Sequence, residues 1–170
     1  LLAQNPNFYF VIPTVRTVAS HVKAEAAKLN LPLLVVESQQ DRYNAFRASS
    51  AAIAASGTVA LELAICHIPH IIGYKVSPLT AFIAGKFLKI QFVNLSNIML
   101  GREVVPELLQ EQCIAGNIVR YINELLSHGE LYQRQMDGFD KVKALLSNGE
   151  QTPSDNAADF ILDLISRTRR

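Results

Sequence analysis

Two short stretches hold the residues whose types and spacing suit chemistry. Ser56-Gly57-Thr58 stands between an apolar run, Ala51 to Ala55, and the helical pattern Val59-Ala60-Leu61-Glu62-Leu63-Ala64. In the first turn of a helix the backbone N–H groups lack intrahelical partners and the macrodipole is positive, so such a turn can receive a phosphate. Gly57 permits close approach of a ligand to the backbone, and the two hydroxyls add donors. Glu62 lies one helical turn past Thr58 on the same face, where a carboxylate can accept from sugar hydroxyls. The plainer alternative is that Ser56 or Thr58 only caps the helix. The turn has neither the spacing of a dinucleotide fingerprint nor the Gly-Lys-Ser/Thr ending of a P-loop.

The second stretch is Ser96 to Gln110. Asn97, Arg102, Glu103, Glu107 and Gln110 place amides, a cation and carboxylates after an expected strand, Gln91 to Leu95, at the rim where open parallel sheets take ligands. Glu103 and Glu107 share a face if a helix has begun by then, and either a ligand or a solvated face accounts for two like charges at that spacing. His67 and His70 are separated by Pro69 at a helix end, so His67 reads as a helix-end residue and no metal pair is expected.

The elements that must position these stretches alternate. Phe8 to Pro13, Leu33 to Val36, Ala51 to Ala55 and Pro69 to Tyr74 are apolar runs of the kind that form buried parallel strands. Between them, helices are expected over Thr14 to Leu29, over a short span containing Tyr43, Ala45, Phe46 and Ala48 with Arg42 and Arg47 facing solvent, and over Thr58 to Cys66. Ser77-Pro78 opens a further helix with Leu79, Phe82, Ile83, Phe87 and Leu88 on one side and Lys86 and Lys89 near its end. That pattern suits either a membrane surface or an ordinary core helix. The remainder is helical: Cys113 to Leu126, Leu131 to Leu146 and Ala157 to Ser166, with Arg167, Arg169 and Arg170 as a solvated basic end. The fold class is therefore α/β, a Rossmann-like three-layer parallel sheet.

Composition narrows the function classes. The chain has 170 residues, 49% of them apolar, enough for one core and one domain over 1–170. Sixteen Lys and Arg against fifteen Asp and Glu leave a formal charge of +1, so no nucleic-acid partner is indicated. Cys66 and Cys113 form neither a metal knuckle nor a disulfide framework and fit a reducing compartment. No apolar run is long enough to span a bilayer, and no signal peptide is visible. The chain starts at Leu1, and Leu1 to Asn5 reads as the end of a helix feeding a turn, so a piece of a longer protein is expected.

Three ordered motifs carry a resemblance: Ala55-Ser56-Gly57-Thr58 with Leu61-Glu62, then Tyr74-Lys75-Val76-Ser77-Pro78-Leu79-Thr80, then Asn97 followed by Gly101-Arg102-Glu103-Val104-Val105-Pro106-Glu107-Leu108-Leu109-Gln110. In these motifs the chain resembles the lipid-A-disaccharide synthases, bacterial glycosyltransferases, most strongly from Ala48 to Cys113. Ser50 stands where the family more often has Asp, and Leu100 where Ala is common. The resemblance implies the C-terminal half of a two-domain GT-B type enzyme. Such an enzyme is inverting and metal-independent, takes no cofactor, and joins UDP-2,3-diacylglucosamine to 2,3-diacylglucosamine 1-phosphate with release of UDP. It acts as a peripheral protein on the cytoplasmic face of the bacterial inner membrane. The N-terminal acceptor-binding half and a Gly-Ser-Arg loop expected just before the first strand are not in this chain, and helix 154–170 is expected to pack on that half. Carried over, Ser56, Gly57 and Thr58 resemble the diphosphate turn, Glu62 a ribose contact, and Asn97, Arg102, Glu103 and Gln110 parts of the interdomain cleft, the first three catalytic. The rival readings are another UDP-sugar enzyme such as an epimerase, or a non-catalytic nucleotide-binding module.

Overall fold

A computed structural model describes residues 1–76, 91–147 and 153–168. The order is β1 (Phe10–Pro13), α1 (Ala19–Ala27), β2 (Leu33–Val36), α2 (Gln39–Ala48), β3 (Ala52–Ala54), α3 (Thr58–Ile65), β4 (His70–Tyr74), α4 (Leu95–Leu100), β5 (Glu107–Leu109), a 3-10 turn (Gln110–Gln112), α5 (Ala115–Leu126), α6 (Glu130–Leu146) and α7 (Pro153–Thr168). All strand pairs among the described residues are parallel, as the continuous apolar runs predict, but they form two sheets: β1 with β2, and β3-β4-β5 with β4 in the middle.

The core sits around β4. Neighbouring strand residues point to opposite faces. Ile71 joins Leu108, Ile122, Leu125 and Leu131 beneath α5, while Ile72 joins Ala60, Leu63, Ala64, Val104 and Phe139 beneath α3 and α6. Gly138 allows α6 its close approach, because a Cβ there would overlap the Val104 side chain. Gln135 of α6 completes the start of β4: its Oε1 accepts the His70 N–H at 2.9 Å and its Nε2 donates to the His70 carbonyl at 2.8 Å. These bonds satisfy the backbone of a fully buried residue that would otherwise lack partners.

Three expectations are corrected. The helix expected from Thr14 begins at Ala19, because the Thr14 N–H donates to the Val36 carbonyl at 2.8 Å and so extends the β1–β2 ladder. Gln91 to Leu95 is not a strand: Asn94 caps α4, its side chain accepting from the Ser96 and Asn97 N–H groups. The strand lies instead at Glu107–Leu109, so Glu103 and Glu107 share no helical face. The expected Ser77 to Lys89 helix and its lysines lie outside the described residues, as does the end of the Arg167 to Arg170 cluster. On α7, Ser154 to Arg167 are exposed throughout, including Phe160, Ile161, Leu162 and Ile165.

Candidate functional site

In a parallel sheet all strands end at one rim, which here holds the Ala55-Ser56-Gly57 turn after β3, Lys75-Val76 after β4 and Gln110 after β5. Crossover helices start at the same rim. The head of α3 suits an anion site: Gly57 is its N-cap, with φ +139° and ψ −165°, and among the described residues no side-chain cap bonds to its first turn. Neither Ser56 nor Thr58 therefore acts as the cap. Among the described residues a Cβ at Gly57 would meet nothing within 4 Å, so it is the positive φ that demands glycine.

Ser56 anchors this turn. Its hydroxyl donates to the Val93 carbonyl at 2.6 Å. Val93 is held in turn by Glu107, whose carboxylate accepts from the Val93 and Asn94 N–H groups, both at 2.9 Å, and from Asn97 Nδ2 at 2.9 Å. Asn97 continues the network, donating to the Val105 carbonyl at 2.8 Å and accepting from the Val104 and Val105 N–H groups at 2.8 and 2.9 Å. One connected set of hydrogen bonds thus runs from β5 through the head of α4 to the Ser56 turn. Sequence reasoning did not find Glu107 in this role, because its partners lie 10 to 14 positions away and no local period marks them. Two further polar atoms at the head of α4, Asn94 Nδ2 and Ser96 Oγ, are buried without a hydrogen-bond partner.

Of the residues assigned to a cleft, the structure brings some to this rim and not others. Ser56, Gly57, Thr58 and Gln110 share it, Gln110 with φ +49° at the start of its 3-10 turn. Asn97 is fully buried, and both donors and both acceptor positions of its amide are occupied within the network. Arg102 and Glu103 are exposed in the loop between α4 and β5. Glu62 is half-buried on α3 and forms an ion pair with Arg42 of α2 at 3.2 Å, which corrects the solvent-facing expectation for Arg42. The pair is not aligned as a hydrogen bond, since Arg42 Nε and Glu62 Oε2 remain unpartnered.

Two histidines lie at the opposite, N-terminal end of β4. His67 pairs with Asp140 of α6 at 2.9 Å, as a helix-end residue with φ +55°. His70 stacks on Phe139 at 5.3 Å, and its Nδ1–H donates to the Ile68 carbonyl at 2.8 Å. Burial lowers its pKa from 6.5 to about 4, the Ile68 hydrogen bond opposing the shift only in part. His70 is neutral and structural at neutral pH. No group of three or more potential metal ligands occurs among the described residues.

Comparison with known proteins decides the relationship. The family model described as lipid-A-disaccharide synthetase matches residues 1–161. The chain belongs to the lipid-A-disaccharide synthetase family. Similar proteins named lipid-A-disaccharide synthase occur in Rhodospirillum centenum, 38% identical over 98% of this chain and 42% of the relative, and in Paramagnetospirillum magneticum, 42% identical over 97% of this chain and 43% of the relative. A third, from Rhodopseudomonas palustris, is 38% identical over 93% of this chain and 40% of the relative. The chain thus spans about two-fifths of the length of the curated relatives it matches. Among the described residues no helix is long and apolar enough to cross a membrane.

Proposed function

We propose that this chain is the donor-nucleotide half of a lipid-A-disaccharide synthase, a hexosyltransferase of lipid A biosynthesis. In the proposed reaction the acceptor hydroxyl of 2,3-diacylglucosamine 1-phosphate attacks the anomeric carbon of UDP-2,3-diacylglucosamine with inversion. The bond from that carbon to the diphosphate oxygen breaks, UDP departs and the acceptor proton passes to a base. The reading is carried by the head of α3, a helix start with a glycine at φ +139° and, among the described residues, no side-chain cap.

Negative charge grows on the departing diphosphate, and oriented N–H donors at a helix N-terminus stabilise it without reorganising. Ser56, Gly57 and Thr58 are assigned to the diphosphate. Gln110 at the same rim is assigned to the nucleotide, and Glu62 to the ribose, a contact it must share with Arg42. No metal and no cofactor enter this reading. The base, the acceptor site and the inner-membrane contact on its cytoplasmic face are assigned to the remaining polypeptide. Helix α7, with Phe160, Ile161, Leu162 and Ile165 exposed, is assigned to pack against that part.

The test is lipid disaccharide formation from the UDP-linked diacyl sugar. The 170-residue chain alone should show no turnover, because the acceptor hydroxyl and base must be held near the anomeric carbon. In the full-length enzyme, Ser56→Ala should lower turnover and also lower the melting temperature by loss of its Val93 hydrogen bond, while Arg102→Ala, at an exposed loop residue, should lower turnover with little change in melting temperature. Normal turnover by both variants would overturn this assignment.

A further inference from the structure

The ion pair between α2 and α3 is only half made. Arg42 Nη2 lies 3.2 Å from Glu62 Oε2, yet Arg42 Nε and Glu62 Oε2, both shut off from solvent, have no hydrogen-bond partner among the described residues. A plain tie between two helices would bring guanidinium and carboxylate together side-on, with two parallel N–H···O bonds. Here each partner keeps a buried polar atom unbonded, which is costly unless something else completes the arrangement.

The guanidinium is the fixed side of the pair. It lies over the Tyr43 ring at 5.3 Å, Tyr43 meets the buried Phe46 edge-on at 6.0 Å, and both rings belong to the main core packing. Asp41, the adjacent carboxylate in sequence, accepts from the Ser38 hydroxyl at 2.6 Å, at the cap of α2. The carboxylate of Glu62 is the side with room. It stands one helical turn past Thr58 on α3, and 28% of its side chain is exposed although Oε2 is buried.

We propose that Arg42 is a positioning residue, which holds the inward oxygen of Glu62 so that the carboxylate offers its other oxygen to the hydroxyls of a nucleotide ribose. This rests on the donor-site reading and deepens it. The ribose hydroxyls donate and the carboxylate accepts, so the bound sugar fixes the carboxylate plane. The guanidinium then closes on it side-on, and Nε and Oε2 gain the bond that each lacks. Sugar recognition and the ion pair form one unit, separate from the hold of the Ser56 turn on the diphosphate. A planar fork is required, and a lysine ammonium supplies only the charge.

Titration of UDP and of 2′-deoxy-UDP into the full-length protein tests this. Wild type should prefer UDP by roughly tenfold, the effect of one hydrogen bond to a charged group. Glu62→Ala, and Arg42→Met, which keeps an apolar stem beside Tyr43, should each bring that preference to within about twofold of unity while changing 2′-deoxy-UDP affinity by less than ~3-fold, and the double substitution should add little. Arg42→Lys should restore only part of the preference. The proposal is overturned by equal affinity of wild type for the two nucleotides, or by Arg42→Met that keeps the preference. Equal weakening of both nucleotides in Arg42→Met also overturns it, since a mere tie between α2 and α3 would act that way. Failure of wild type to bind either nucleotide removes the donor-site reading itself, and this proposal with it.

Discussion

β4 and β2 have similar apolar content and opposite fates. His70, Ile71 and Ile72 are buried between α5 on one face and α3 with α6 on the other, whereas Leu33, Val35 and Val36 are only half-buried and Leu34 is 48% exposed. An apolar run is enough to form a parallel strand, but its contribution to stability depends on what covers it. The β3-β4-β5 region is a closely packed core that holds one rim in place; the β1-β2 pair carries no fully buried residue.

The largest expected effect separates the two regions. Phe139→Ala should lower stability by about 3–5 kcal/mol, since the ring is fully buried against the main cluster, while Leu34→Ala should cost under ~1 kcal/mol. Denaturant midpoints of the two variants check this, and equal losses would erase the distinction.

Acid should act on the finished core as well. The unfolded chain protonates His70 near pH 6.5 and the folded chain only near 4, so unfolded molecules bind more protons between these values and stability falls as pH falls through that window. The full loss is on the order of 3 kcal/mol, reached below pH 4 and absent above 6.5. Urea midpoints of wild type and His70→Gln from pH 7 to 4 measure it. The wild-type slope should be steeper.

Next in size is Gly138→Ala, which should cost about 1–3 kcal/mol by forcing a methyl into Val104, with Gly116→Ala on α5, where a methyl meets nothing within 4 Å, as the neutral control. A smaller effect on stability, with a larger one on ligand, is expected at the rim. Gly57→Ala forces an alanine to φ +139° and should cost about 1 kcal/mol or more of stability while weakening UDP binding further. A melt and a binding isotherm on the same sample separate the two.

The sequence made much of this legible, and the failures have a common cause. Leu33 to Val36 appears with the expected boundaries, and α3 begins at the expected Thr58. These elements are written in local apolar period and a glycine turn. What was not legible depends on long-range polar contacts. Gln91 to Leu95 has strand composition, but Glu107 holds the Val93 and Asn94 N–H groups and Asn94 starts a helix. Asn97 has the residue type of a catalytic amide, and nothing local in the sequence reveals the four hydrogen bonds that occupy it.

The most direct measurement of the central claim is a titration of UDP into the isotopically labelled chain, followed by backbone amide shifts. The account predicts weak saturable binding, at roughly high-micromolar to millimolar Kd or about 4–6 kcal/mol, with the largest shifts from Ser56 to Glu62 and at Gln110. No change in that stretch at millimolar UDP, or shifts centred on Arg102 and Glu103, would contradict it.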